Sequence, residues 1–239
     1  MKLKTLAAVF RTEALLAVLG GDMLLFGVAI PVGVMALFGF VSAPENLSAA
    51  WAGVATIGIC ASGLMGIPLT LASYRHDKIL KRMQVTPASP LLLLVSVALV
   101  QLIFAVLSAA AVTVTAVLFG LRLEGTAGAA AGTLLFIILP VYAIGFLIAA
   151  LAPDIKKANL ICTLVYFPTL FLSGATIPFE ILPGAVRAAA RIFPLTEGIR
   201  LLKNAASGQS VPADAAGFAV LAGVAVVSFA LALRTFRWE

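Results

Sequence analysis

The most basic run of the sequence lies in residues 74–90, which we call the basic segment. Eight consecutive residues there contain four cations, the only histidine and one carboxylate: Arg75, His76, Asp77, Lys78, Lys81 and Arg82. On a helix, Arg75, Lys78 and Arg82 would share one face, and the prolines that follow would end that helix. Such a helix suits contact with a soluble partner, and a solvated loop that only sets membrane topology is an equal alternative.

Other chemically active patterns are scarce. The sequence has no G-x-x-x-x-G-K-[ST] phosphate-binding loop, no HExxH and no GxSxG. The two cysteines, Cys60 and Cys162, lie within apolar runs and are predicted to be buried thiols. Because His76 is the only histidine, most metal and nucleophilic chemistries are excluded. We therefore expect no catalytic or metal-binding residue and no bound cofactor in this chain.

The composition indicates an integral membrane protein. Of 239 residues, 62% are hydrophobic and 11% are charged, whereas a soluble domain carries about a quarter charged residues. The apolar runs are continuous, which favours membrane helices over a barrel. The net charge of +6 lies mostly in short loops, so nucleic acid is not an expected partner. We predict an all-α fold with spans at residues 22–41, 51–73, 91–119, 127–151, 159–174 and 215–233.

Two further segments are predicted to lie at the membrane surfaces. Residues 1–21 have apolar positions at helical spacing and end in two glycines, which predicts an amphipathic interfacial helix. Residues 175–214 contain too many prolines for one helix and are too apolar for an ordinary loop. We predict two short amphipathic helices there, at about residues 181–193 and 195–206, that re-enter the outer leaflet.

The distribution of Lys and Arg predicts cytoplasmic termini. With six spans, both termini share one side, and the segments assigned to that side hold 11 of the 16 Lys and Arg residues. Trp51 is expected at a membrane interface, and Pro31 is expected to kink the first span. The small residues of the second span would let another helix approach closely, whereas the single GxxxG of residues 128–132 is a weak indication of contact.

Two distant motifs carry a resemblance to one family. The basic segment is similar to R-x-x-G-T-L-x-x-L-x-x-T-P-L-S-P, a motif of ABC transporter permeases of the second, polysaccharide- and drug-exporting type. The matching residues are Arg75, Leu80, Thr86, Pro87, Ser89 and Pro90. Lys78 and Ile79 stand where that family usually has Gly-Thr, and Ala88 replaces a leucine. A later stretch resembles the family's F-L-S-G-x-x-x-P-x-x-x-L-P followed by P-L-T, with matches at Phe171, Leu172, Ser173, Gly174, Pro178, Leu182, Pro183, Pro194, Leu195 and Thr196.

The resemblance implies a permease without an ATPase of its own. In this family two permeases, identical or related, pair in the bilayer and dock on two separate ATP-binding subunits that carry ATP and Mg²⁺. The basic segment would supply a coupling helix, the N-terminal helix would help to connect to the ATPase, and the two short outer helices would cap the exit. The implied coupling residues are Arg75, Asp77, Lys78, Lys81, Arg82, Thr86 and Pro87. The implied outer-gate residues are Phe171, Ser173, Gly174, Pro178, Pro183 and Pro194.

The leading hypothesis is therefore export of an amphiphile, such as a drug, a lipid or a lipid-linked glycan, across a bacterial cell membrane. The alternative is an ion-coupled carrier or channel without an ATPase partner. Such proteins usually place ionisable residues within the membrane, whereas the polar groups of the predicted spans are neutral and are expected to form hydrogen bonds between helices. They are Gln101, Thr113, Thr115, Tyr142, Thr163 and Tyr166. A membrane-embedded enzyme would need an intramembrane Ser/His pair, Asp pair or metal cluster, which the sequence lacks.

Overall fold

The computed structural model describes residues 2–42, 47–79, 90–177, 179, 183–208 and 215–235. No strand occurs within these ranges. Their helices are α1 (Lys2–Gly20), α2 (Asp22–Val41), α3 (Leu47–His76), α4 (Pro90–Leu118), α5 (Ala127–Leu151), α6 (Ile155–Leu172), α7 (Gly184–Ala190), α8 (Pro194–Ala206) and α9 (Ala215–Thr235). Helices α2 to α6 and α9 are long and apolar enough to cross a bilayer. The predicted all-α membrane fold with six spans is confirmed.

Two of the spans contain a wide turn just before a proline. In α2, residues Leu25–Ala29 are π-helical and Pro31 follows them. In α3, residues Ala61–Gly66 are π-helical and Pro68 follows them. Proline lacks an N–H and its ring clashes with the carbonyl four residues earlier, so a wider turn accommodates it. The irregularity expected at Pro31 is therefore a π-helical turn, and the equivalent turn before Pro68 was not predicted from the sequence.

Helix α3 runs through the centre of the bundle. Its side chains Trp51, Ile59 and Ile67 are at most 1% exposed. The helix begins at Leu47, before the predicted start at residue 51. Trp51 is therefore not its first residue, and its side chain is buried inside the protein. The indole N–H of Trp51 donates to Oγ1 of Thr113 on α4 at 2.9 Å. The prediction of an interfacial Trp51 was wrong, because an indole whose N–H has a partner can be buried.

Small residues of α3 allow neighbouring segments to approach closely, as its composition predicted. A Cβ added at Gly145 of α5 would collide with the carbonyl oxygen of Gly63 on α3. A Cβ added at Gly53 would lie 2.5 Å from the carbonyl oxygen of Gly174, just beyond α6. By contrast, a Cβ added at either glycine of the GxxxG in residues 128–132 would meet nothing within 4 Å. The close α3–α5 contact therefore uses a glycine outside that motif.

The antiparallel spans give the bundle two ends. The basic-segment end contains the last turn of α3 and the α5–α6 connection, and α1 packs there against α4. The helix-pair end contains the α4–α5 turn, α7, α8 and the start of α9. Two short helices are present between the fifth and sixth spans, as predicted, although α7 is shorter than expected. Helix α8 packs against α5 and α9, and the N–H of Gly125 donates to the carbonyl of Ala206 at 2.9 Å.

Candidate functional site

Arg75 lies in the last turn of α3, and its guanidinium contacts the end of α5. Its Nη1 donates to the carbonyl oxygens of Ala149 and Ala152, at 3.2 and 2.5 Å. The last carbonyls of a helix have no donor within the helix and carry partial negative charge, so a cation is a favourable partner. Arg75 therefore joins α3 to the start of the α5–α6 connection.

The predicted helix through Arg75 and Lys78 is interrupted by a turn. Helix α3 ends at His76, and Lys78 has a φ of 58°. This left-handed conformation is unfavourable for residues other than glycine. The prediction that Arg75 and Lys78 share one face of a helix was wrong for this reason. Lys78 occupies the position where the resembling motif has glycine, and the left-handed turn after α3 accounts for a glycine preference there.

The exposed residues of this turn are His76, Asp77 and Lys78. The hydroxyl of Ser73 donates to Oδ2 of Asp77 at 3.4 Å, and Nδ1 of His76 lies 3.0 Å from Oδ1 of Asp77. Asp77 therefore stabilises the turn while it faces solvent. The remaining predicted coupling residues lie outside the described ranges: Lys81, Arg82, Thr86 and Pro87.

Glu13 of α1 is buried against this end of the bundle. The side chain is 8% exposed, and the hydroxyl of Tyr74 donates to its Oε2 at 2.5 Å. Burial raises the pKa of Glu13 above its ordinary value, and the bond from Tyr74 partly opposes that rise. This hydrogen bond holds α1 against α3 at Tyr74, the residue before Arg75. Sequence reasoning missed it, although a carboxylate within an apolar run requires a donor on a neighbouring helix.

A cavity of about 330 Å³ lies beside this pair, between α1, α3 and α4. Glu13, Tyr74 and Gln101 line it. Gln101 is 4% exposed, and its Oε1 has no hydrogen-bond partner among the described residues. The hydrogen bonds predicted between spans are present for Thr113, which bonds to Trp51, and for Tyr142, whose hydroxyl oxygen lies 3.0 Å from that of Ser62. The prediction was wrong for Thr115, whose hydroxyl donates to the carbonyl of Ala111 within α4 at 2.9 Å.

The C-terminal end of α6 positions the first of the predicted outer-gate residues. Gly174 has a φ of 91°, which lets the chain leave α6 against Gly53 of α3. Ser173 is 1% exposed, and its Oγ has no hydrogen-bond partner in the described part of the chain. Phe171 is 45% exposed and stacks on Phe167, with the ring centroids 6.2 Å apart. Pro178 lies outside the described ranges.

The other two predicted gate residues frame α7. The carbonyl of Pro183 accepts from the N–H of Arg187 at 2.9 Å, at the start of that helix. Pro194 is the first residue of α8, where its missing N–H costs no helical hydrogen bond. The hydroxyl of Thr196 donates to the carbonyl of Ala190 at 2.6 Å and so joins the two short helices. The described gate residues therefore lie near one another at the helix-pair end.

Helix α8 presents an apolar face to the bundle and a polar face to a cavity. Leu195, Leu201 and Leu202 are at most 1% exposed, whereas Glu197, Arg200 and Lys203 line a cavity of about 540 Å³ beside α9. The sequence predicted this division of the helix. The cavity was not predicted, because it depends on where α9 begins relative to α8.

The structure thus places those predicted residues that lie in the described ranges in two groups, at opposite ends of α3. Within the described ranges, no three His, Cys, Asp or Glu side chains are close enough together to hold a metal ion. Cys60 and Cys162 are both buried free thiols, as predicted. Helix α3 makes close contacts at both ends of the bundle. At the helix-pair end there is also a cavity with charged and apolar walls.

Sequence comparison matches the chain to known proteins and to a family profile. Nodulation protein J of Rhizobium meliloti (strain 1021) is 34% identical over 94 residues, which cover 39% of this chain and 36% of that protein. Nodulation protein J of Rhizobium leguminosarum bv. trifolii is 40% identical over 68 residues, which cover 28% of this chain and 26% of that protein. The aligned stretches thus span less than half of these relatives. Residues 5–205 match the sequence profile of the ABC-2 type transporters, and because this match covers most of the chain, the protein belongs to the ABC-2 type transporter family as a multi-pass membrane permease.

Proposed function

We propose that the chain is the transmembrane subunit of an ATP-driven exporter. A separate ATP-binding subunit would supply the energy, and two permeases, identical or related, would pair and dock on two such subunits. ATP and Mg²⁺ would bind to the partner, and this chain would hold no cofactor. The cargo would be an amphiphile, such as a drug, a lipid or a lipid-linked glycan. Membership of the ABC-2 type transporter family supports this proposal.

The observation that carries the proposal is that α3 connects the two predicted sites. At one end, Arg75 contacts the carbonyls of α5 and Tyr74 contacts Glu13. At the other end, Gly53 packs against the backbone of Gly174. Close-packed helices transmit displacement instead of absorbing it. A movement imposed on the basic segment would therefore reach the helix-pair end through α3.

The proposed orientation places the basic segment and both termini in the cytoplasm of a bacterium. Helix α1 would then lie along the inner membrane surface, and α7 and α8 would re-enter the outer leaflet. Leu15, Leu16 and Leu19 of α1 are each more than half exposed, which suits a helix whose apolar face lies in lipid. The excess of Lys and Arg in the cytoplasmic segments supports the same orientation.

The test is to co-express this chain with the ATPase encoded nearest to it and to purify the complex through a tag on this chain. Vanadate-sensitive ATP hydrolysis is then measured in lipid nanodiscs, with the ATPase alone and a hydrolysis-deficient ATPase as controls. We expect a stable complex whose hydrolysis is stimulated by a candidate amphiphile. Failure to form a complex with any candidate ATPase would overturn the proposal, and vanadate-insensitive flux driven by an ion gradient would support the ion-coupled carrier instead.

A further inference from the structure

The cavity at the helix-pair end lies between α8, the start of α9 and the end of α6, and it measures about 540 Å³. Three cations, one carboxylate and two hydroxyl groups line it together with apolar side chains. The polar lining residues are Ser173, Arg191, Thr196, Glu197, Arg200 and Lys203. Gly217 of α9 forms part of the wall, and a Cβ added there would collide with the Glu197 carboxylate. The absence of a side chain at Gly217 thus lets α9 lie close to Glu197 of α8.

The described lining holds three cations and one carboxylate. Arg200 donates from Nη2 to Oε1 of Glu197 at 2.6 Å and from Nε to Oε2 at 3.0 Å, so this pair neutralises itself. Arg191 makes no ion pair with any described residue, and the side chain of Lys203 lines the same cavity. The described lining therefore has an excess of positive charge. Arginine and lysine form their strongest hydrogen bonds with phosphate and carboxylate oxygens.

Ser173 gives a second and independent indication of a ligand. Its side chain lines the cavity and is 1% exposed, yet its Oγ has no hydrogen-bond partner among the described residues. A buried hydroxyl without a partner is unfavourable, and such groups are rare in folded proteins. An anionic oxygen in the cavity would accept the missing hydrogen bond. Ser173 thus points to the same class of ligand as Arg191 and Lys203.

The apolar part of the cavity continues onto a candidate membrane span. Phe179, Ile199 and Val220 complete the lining, and Val220 is 55% exposed on α9. Val227 and Leu231 follow at helical spacing on the same face and are 59% and 44% exposed. A largely apolar cavity that contains charged groups and opens onto an exposed apolar stripe matches a molecule with a charged head and a hydrocarbon tail better than it matches a soluble anion.

We propose that this cavity binds the anionic head group, a phosphate or a carboxylate, of a membrane amphiphile whose acyl chain lies along α9. Arg191 and Lys203 balance the charge of the head group, and the hydroxyl of Ser173 donates a hydrogen bond to it. This inference rests on the proposed function, in which the cargo is an amphiphile. It adds that the amphiphile carries a negative charge and binds at the helix-pair end.

The test uses the full chain in phosphatidylcholine nanodiscs that contain a trace of phosphatidylglycerol with a diazirine on its acyl chain. After irradiation, mass spectrometry of peptides measures labelling within residues 184–208 and 215–235. We expect labelling about fivefold or more above that given by a phosphatidylcholine carrying the same diazirine, as charge-assisted hydrogen bonds predict. Arg191→Gln with Lys203→Gln should reduce labelling to the phosphatidylcholine level, and Ser173→Ala should reduce it by about half or more.

The matched control is Arg122→Gln with Lys156→Gln, which removes the same charge from two exposed residues outside the cavity and should leave labelling unchanged. Equal labelling by the two probes, or undiminished labelling of the Arg191/Lys203 variant, would overturn the proposal. Displacement of the probe by excess inorganic phosphate would identify a soluble anion as the occupant and overturn the amphiphile assignment. No ATPase or nucleotide is present, so this failure would be distinct from failure of the export proposal.

Discussion

The phenolic oxygen of Tyr74 lies 2.5 Å from Oε2 of Glu13, although 61 positions separate the two residues in the chain. The bond joins the N-terminal helix to the last turn of α3, one residue before Arg75 binds the carbonyls of α5. Two neighbouring side chains of α3 therefore hold together α1, α3 and the end of α5. A rigid connection at this point is what a coupling element requires.

Replacement of Tyr74 by Phe should destabilise the chain, because it leaves the buried carboxyl of Glu13 without its donor. We expect the free energy of unfolding to fall by about 1–3 kcal/mol, measured by SDS titration in mixed micelles. Tyr166→Phe is the matched control, since Tyr166 is also buried but forms no hydrogen bond through its hydroxyl with a described residue. Equal stability of Tyr74→Phe and the wild type would mean that the bond contributes nothing.

Stability should also depend on pH through Glu13. Burial raises the pKa of Glu13 above its ordinary value of 4.5, so the folded chain binds this proton more tightly than the unfolded chain does. The stabilisation is complete below the ordinary value and is lost as the pH rises through the raised pKa. Thermal unfolding between about pH 4 and pH 8 should show this decline, and Glu13→Gln should flatten it. A decline of the same slope in the variant would assign the effect to another group.

Lys78→Gly should stabilise the turn after α3. Lys78 has a φ of 58°, and a left-handed conformation costs about 1–2 kcal/mol for a residue with a Cβ. We therefore expect the free energy of unfolding to rise by about 1 kcal/mol. His76→Gly, two residues earlier and still within the helix, should lower it by about the same amount. If both variants lost stability, the left-handed turn would not explain why glycine is favoured at position 78.

Gly145→Ala should be destabilising, while Gly132→Ala on the same helix should not. The new Cβ at residue 145 would collide with the carbonyl of Gly63, whereas the Cβ at residue 132 would meet nothing within 4 Å. Overpacking costs about 1–3 kcal/mol, and an unhindered helical glycine replaced by alanine gains about 1 kcal/mol. SDS titration of the two variants should therefore give shifts of opposite sign. Shifts of the same sign would contradict the assigned α3–α5 contact.

Charge reversal of Lys81 or Arg82 to Glu should uncouple ATP hydrolysis from transport if the basic segment contacts the ATPase. If Lys81 or Arg82 faces a carboxylate of the ATPase, the substitution replaces an attractive pair of charges by a repulsive pair, which costs several kcal/mol. Transport and hydrolysis are measured together in the reconstituted complex, with Arg122→Glu at the opposite end of the bundle as the control. Undiminished transport by the Lys81 and Arg82 variants would count against the coupling role and favour a segment that only sets topology.

The number and order of the spans could be predicted from the sequence because hydropathy is a local property. A chain segment in lipid must satisfy all of its backbone hydrogen bonds internally, so each long apolar run becomes a helix wherever its neighbours lie. The two short helices after the fifth span were also predictable, since prolines set their limits and Pro194 begins α8. The motif resemblance likewise depends on residues close together in the chain.

Which polar groups meet was decided only by the tertiary structure. The sequence suggests that Arg75 is an exposed cation, but its guanidinium contacts the end of α5. The sequence likewise suggests an interfacial Trp51, but its indole bonds to Thr113 inside the bundle. The cavity beside α9 is lined by Gly217 of that helix together with Glu197 and Arg200 of α8, which lie close to it. Each of these contacts joins residues far apart in the chain, and the packing of helices selects it. Local patterns therefore determined the elements of this protein, and the close approach of those elements determined which side chains could act together.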